Sequence, residues 1–81
     1  MEIKKSKEIT ALLESRNIRD EEVQQVVREA EETGEKKFYH SEIGRYLASK
    51  KIGEAVHWVL YSVEESGYVI HSAYWYKSEL S

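Results

Sequence analysis

Few side chains in this 81-residue chain can act as acids, bases, nucleophiles or ligands. Cysteine is absent, which removes disulfides, thiolate nucleophiles and thiolate metal sites together. Three histidines remain: His40, His57 and His71. His71 is the most suggestive, because a hairpin register places it on one sheet face with Arg45. An imidazole beside a guanidinium can move a proton next to a bound anion. The same register also lets Arg45 stack on Trp58, a purely structural contact. His57 falls on the face opposite His71, and no Asp or Glu accompanies either at ligand spacing, so no metal site is expected. The string "HSE" at 40–42 holds residue types of a triad. Triad geometry needs convergence from separate segments, so the string is read as a turn.

Two further groups of residues bear on binding. Lys36, Lys37, Arg45, Lys50 and Lys51 form a basic cluster interleaved with Tyr39 and Tyr46, a composition that suits RNA, whose bases stack on aromatic rings. Lysines also guard exposed strand edges, so the cluster has an ordinary structural use. "VHWVLYSVEESGYVIHSAYWY", residues 56–76, holds two Trp, four Tyr and two His. No phosphate-binding loop is present, so no cofactor is assigned.

Composition bounds the setting of these groups. The length allows one domain, 1–81. Hydrophobic content of 41% with 33% charged residues suits a globular chain. No apolar run reaches the ~18 residues of a membrane span, and "MEIKKSKEIT" lacks the apolar stretch of a secretion signal. A cytoplasmic protein without membrane contact is expected. The net charge of −3 is uneven: residues 1–35 carry ten acids and six bases, and residues 36–81 carry five acids and six bases. The overall acidity argues against nucleic acid as a general partner, while a local patch stays open to it.

The elements that must position these residues follow from periodicity. Ser6 caps a short helix through about Ser15, with Ile9, Leu12 and Leu13 at helical spacing. Asn17 lies where helices often end. Asp20 reads as the next N-cap, with Glu21 and Glu22 at the positive end of the helix dipole. Val23, Val26, Val27 and Ala30 form one apolar stripe, and Gly34 ends the helix. After Gly34 the period changes. Residues 36–40 read as a short strand or extended entry. Residues 42–50, 54–63 and 67–76 read as strands rich in β-branched and aromatic residues, separated by "KIG" and "EESG" turns. The expected fold is α+β: a helical pair (6–34) packed on one face of a three- or four-stranded antiparallel β-meander (36–77).

Regular alternation then sorts the faces. One carries Ile43, Arg45, Leu47, Val56, Trp58, Leu60, Val69, His71, Ala73 and Trp75. The other carries Tyr46, Ala48, His57, Val59, Tyr61, Val63, Tyr68, Ile70, Tyr74 and Tyr76. Neither is polar, although an antiparallel sheet with one wet side should alternate clearly. Two short helices cover one side only, so the other meets a partner: a second copy in a homodimer, another protein or an apolar ligand. Tyr46, His57, Trp58, Tyr61, Tyr74 and Trp75 are the candidate binding residues. The functional expectation is a small non-catalytic interaction or accessory protein. A small RNA-binding or RNA-cleaving domain and a ligand pocket between helices and sheet are the alternatives.

Two resemblances accompany this reading. Thr33–Gly34, Tyr39, Gly44, Tyr46–Ala48, Ile52–Gly53, Trp58–Val59, Tyr61, His71 and Ala73–Tyr74 resemble a family of small uncharacterised prokaryotic proteins. Their pattern is Gly-x-Tyr-Leu-Ala, an Ile-Gly turn, Trp-Val-x-Tyr and His-x-Ala-Tyr, and some are encoded beside glutamate-synthase-like oxidoreductases. The chain departs from it at Leu60, where an acid is expected, and at Trp75–Lys77, where His–Arg is expected. The resemblance implies an accessory role. The order of helices before a small sheet is also similar to toxin ribonucleases, which implies RNA cleavage with Arg45, His71 and Tyr74 as the set.

Overall fold

The computed structural model describes residues 2–40 and 44–77. Ser41, Glu42 and Ile43, and with them the turn expected at "HSE", lie outside the described residues. The Ser6 hydroxyl accepts from the Ile9 N–H at 3.2 Å and opens α1, Lys7–Ser15. Asn17 then takes a left-handed conformation (φ 58°), which its short polar side chain tolerates, and turns the chain into α2, Asp20–Thr33. Asp20 is the first helical residue rather than the cap. The Arg19 N–H is instead satisfied by the Glu22 carboxylate at 2.8 Å. Gly34 ends α2 at φ 77°, its N–H bonding to the Ala30 carbonyl at 2.8 Å.

The sheet has five strands in the order β1-β5-β4-β3-β2 and is mixed. These are β1 Ile3–Lys4, β2 Lys37–His40, β3 Arg45–Ile52, β4 Ala55–Glu64 and β5 Gly67–Lys77. The expected antiparallel meander of three or four strands is corrected by β1. This strand pairs parallel with β5 at Tyr68 and Val69, and the Tyr68 N–H bonds to the Glu2 carbonyl at 2.9 Å. Two residues carry no period, so β1 left no pattern to read. Gly67 makes the approach possible: a Cβ there would sit 2.5 Å from the Glu2 carbonyl oxygen.

The second correction concerns β5. Two-residue turns at Gly53–Glu54 and Glu65–Ser66 set a regular start, with Val63 opposite Tyr68 and Tyr61 opposite Ile70. Leu60 then faces Ser72, so His71 is an extra residue in a bulge. Beyond it every side chain has changed faces relative to the regular expectation. Ala73 and Trp75 turn to the helix side, and Tyr74 and Tyr76 join Trp58 and Val56 on the other.

Helix α2 packs on β3 and β4, and α1 on β5. Leu13, Ile18, Val23, Val26, Val27 and Ala30 close on Ala48, Val59, Tyr61, Ile70 and Ala73. Ala48 and Ala73 are small where the helices come close. The outer edge of β5 is met by Arg16, whose guanidinium donates to the Ala73 carbonyl at 2.7 Å, while the Trp75 indole N–H donates back to the Arg16 carbonyl at 2.6 Å.

Candidate functional site

No described element covers the second face of the sheet. The register arranges it in four rows across β3, β4 and β5. Arg45, Ser62 and Val69 form the first, with His71 beside them. Leu47, Leu60 and Ser72 form the second. Ser49, Trp58 and Tyr74 form the third, and Lys51, Val56 and Tyr76 the fourth. Tyr74 and Tyr76 are 44% and 50% exposed, far above a packed aromatic residue. The Trp58 and Tyr74 rings lie nearly parallel, 11° between planes with centroids 6.2 Å apart. A depression of about 240 Å³ is lined by Leu47, Leu60, Ser72 and Tyr74. The Trp58 indole N–H is buried and has no acceptor among the described residues.

The basic cluster divides by parity. Lys36 and Lys50 turn toward α2, where they pair with Glu31 (2.5 Å) and Glu29 respectively. Lys36 also sits 4.1 Å from the centre of the Tyr46 ring. Lys37 is opposite Leu47, so it shares the open face with Arg45 and Lys51. These three make no ion pair among the described residues. Among the described residues Glu64 is the one acid at the same strand positions, and it lies 3.8 Å from Lys4. Glu35 lines a hollow on this side with Lys37, Leu47, Ser49 and Trp58. The acids of α2 lie behind the sheet, and the aromatic front carries these three bases along its β2–β3 side.

The bulge carries the first row's chemistry. It presents His71 and Ser72 to the same face, and the His71 Nε2 lies 2.9 Å from the Ser62 hydroxyl. Burial, and after it the Arg45 guanidinium, hold the imidazole below its ordinary pKa, with Glu64 opposing. A neutral histidine on a serine hydroxyl beside a guanidinium can bind an anion or take a proton. No carboxylate bonds the other ring nitrogen among the described residues, so the third member of a triad is missing. Arg45 and His71 do come together. Tyr74 is two rows away, about 13 Å along the strands. Arg45 does not stack on Trp58, which faces Ser49.

The remaining candidates lie on the helix side. Tyr61 is fully buried, and its hydroxyl donates to Glu31 at 2.6 Å. Tyr46 packs between Tyr61 and Phe38. Buried His57 faces Glu22, Nε2 to Oε2 3.5 Å, while its Nδ1 has no partner among the described residues. It borders a shallow hollow of about 210 Å³ with Asn17, Glu22 and Trp75. Of the six expected binding residues, Trp58 and Tyr74 reach the open face, and Tyr46, His57, Tyr61 and Trp75 do not. Ser62 and Tyr76 were missed as site residues. Parity marks Ser62 as a partner of Arg45, whereas nothing in "VIHSAY" marks the bulge that brings Tyr76 round.

No protein-family model, curated protein or solved structure matches this chain.

Proposed function

We propose that this protein is a small non-catalytic binding domain that works by docking a partner on the open face of its sheet. The observation that carries this reading is the unequal treatment of the two faces. One is filled by helix side chains, while the other holds Leu47, Val56, Trp58, Leu60, Tyr74 and Tyr76 under no described element. A sheet face this apolar and aromatic is what partners bury, and Trp and Tyr are the residues that most often anchor binding.

The partner is placed outside the chain. A second copy docked face to face would bring three cations, Lys37, Arg45 and Lys51, from each side, against Glu35 and Glu64 as the acids on that side among the described residues. Like charges brought together in this way cost association energy.

The test is site-specific photo-crosslinking in cells. A photoreactive residue at Tyr74 should capture a macromolecule, and the same residue at Gln25 on α2 should not. Equal capture from both positions, or none from Tyr74, would reject the reading.

A further inference from the structure

We infer that the occupant of the open face is single-stranded RNA; this rests on the binding-domain reading above. An RNA single strand alternates flat, stackable bases with fixed negative charges. It asks of a protein surface exposed aromatic rings, unpaired cations at the margin and small hydroxyls between. The open face has these in that arrangement. Trp58 and Tyr74 offer near-parallel rings in the third row, and Tyr76 is half exposed in the fourth. Lys37, Arg45 and Lys51 line the β2–β3 side of them without ion pairs among the described residues, while Lys36 and Lys50 are tied to α2. Ser49, Ser62 and Ser72 lie between, with hydroxyls suited to a ribose 2′-OH.

The rest of the molecule supports the assignment. A protein of net charge −3 should repel a polyanion. Here the acids of α2 lie behind the sheet, and Lys37, Arg45 and Lys51 lie in front, where Glu35 and Glu64 are the acids among the described residues. A strand approaching the front meets attraction and one approaching the back meets repulsion, so the field selects the docking face. Partner proteins bring apolar side chains to an apolar face but have no general need of three cations along one side of it. The four rows span about 20 Å along the strands, room for about four nucleotides, the low end of single-strand sites.

The charges give the expected salt dependence. Three phosphate contacts predict a slope of log affinity against log salt of about −2, and each lost cation should reduce it by about 0.7. Loss of one stacking ring should weaken binding by about fivefold to 150-fold.

The experiment is fluorescence anisotropy of a labelled RNA oligomer of about eight mixed nucleotides, titrated with the full chain at about 20 mM salt and upward. Binding is expected with the slope given. Tyr74→Ala, at an exposed position, should weaken it within the stacking range while leaving the circular dichroism spectrum unchanged. Lys51→Ala should lower the slope. Lys7→Ala removes the same charge from α1 and should leave affinity and slope as they are.

No binding up to about 100 µM protein would overturn the inference. So would an equal effect of Lys7→Ala and Lys51→Ala, no effect of Tyr74→Ala, or tighter binding of the DNA oligomer of the same sequence. Crosslinking from position 74 to protein alone would also overturn it, and would leave the binding-domain reading standing.

Discussion

The contact between Tyr61 and Glu31 ties the sheet to α2, and its removal is a defined perturbation. Tyr61→Phe keeps the buried ring and deletes the hydroxyl that donates to the Glu31 carboxylate at 2.6 Å. Hydrogen bonds to charged groups contribute about 1.5–3 kcal/mol. The Glu31 side chain keeps Lys36 as a partner and is 23% exposed, so water offsets part of the loss. The lower end, about 1.5 kcal/mol, is expected, equivalent to a fall in Tm of roughly 6–12 °C for a domain this small. The pH dependence adds a second readout. Burial alone would raise the Glu31 pKa. The hydrogen bonds from Lys36 and Tyr61 and the charge of Lys36 together outweigh it and hold the carboxyl below 4.5. A carboxyl with a depressed folded-state pKa contributes stability that is complete above its unfolded value and lost as the pH falls through the folded one. Below that range the carboxyl is neutral and the bond from Tyr61 is no longer charge-assisted. The cost of Tyr61→Phe, measured by urea unfolding, should therefore shrink to about half as the pH falls from 7 through the folded-state pKa of Glu31. A cost under about 0.5 kcal/mol at pH 7, or the same cost at both ends, would refute the reasoning.

Arg45→Ala should move the His71 pKa upward toward its ordinary value, since the guanidinium is the second cause holding it down after burial. An NMR titration of the imidazole reads this directly, and a downward shift would mean that Arg45 does not act on the ring. Deletion of His71 should be tolerated at a cost of about 1 kcal/mol, the worth of its bond to Ser62. The pairs Tyr61–Ile70 and Leu60–Ser72 then become neighbours in an unbroken ladder, and every other side chain keeps its face. Nuclear Overhauser contacts between Trp58 and Tyr74 should survive the deletion. Their loss, or unfolding, would show that the bulge does more than add one residue.

Both helices were legible because their signals are local. Ser6, Gly34 and the Val23–Ala30 stripe act within a turn or two of their own positions. The three long strands were equally legible from composition. What escaped was pairing, which is decided by distant parts of the chain. Ile3 and Lys4 become a strand because Gly67 leaves room for Glu2 more than sixty residues away. The bulge at His71 involves no glycine, and the His71–Ser72–Ala73 interruption of the β-branched and aromatic run does not by itself mark an extra residue. Yet one added residue moves Tyr74 and Tyr76 from one face to the other, and with them the identity of the site. The basic cluster was legible as residues, but its division into paired and unpaired halves needed the strand parity of Lys36 against Lys37.

The contact of Arg16 with the Ala73 carbonyl bears on strand addition at one margin of the sheet. Beyond Val69 the outer margin of β5 has no strand beside it among the described residues, and it runs through Tyr74, Trp75 and Tyr76. Such a segment, apolar and without proline, is the kind that recruits its own copies into stacked sheets. A guanidinium seated on a backbone acceptor in the middle of that margin blocks the next chain from zipping along it. Arg16 thereby separates two kinds of stickiness: the rings stay available on the flat of the sheet, while the β5 stretch of its margin is guarded against strand addition.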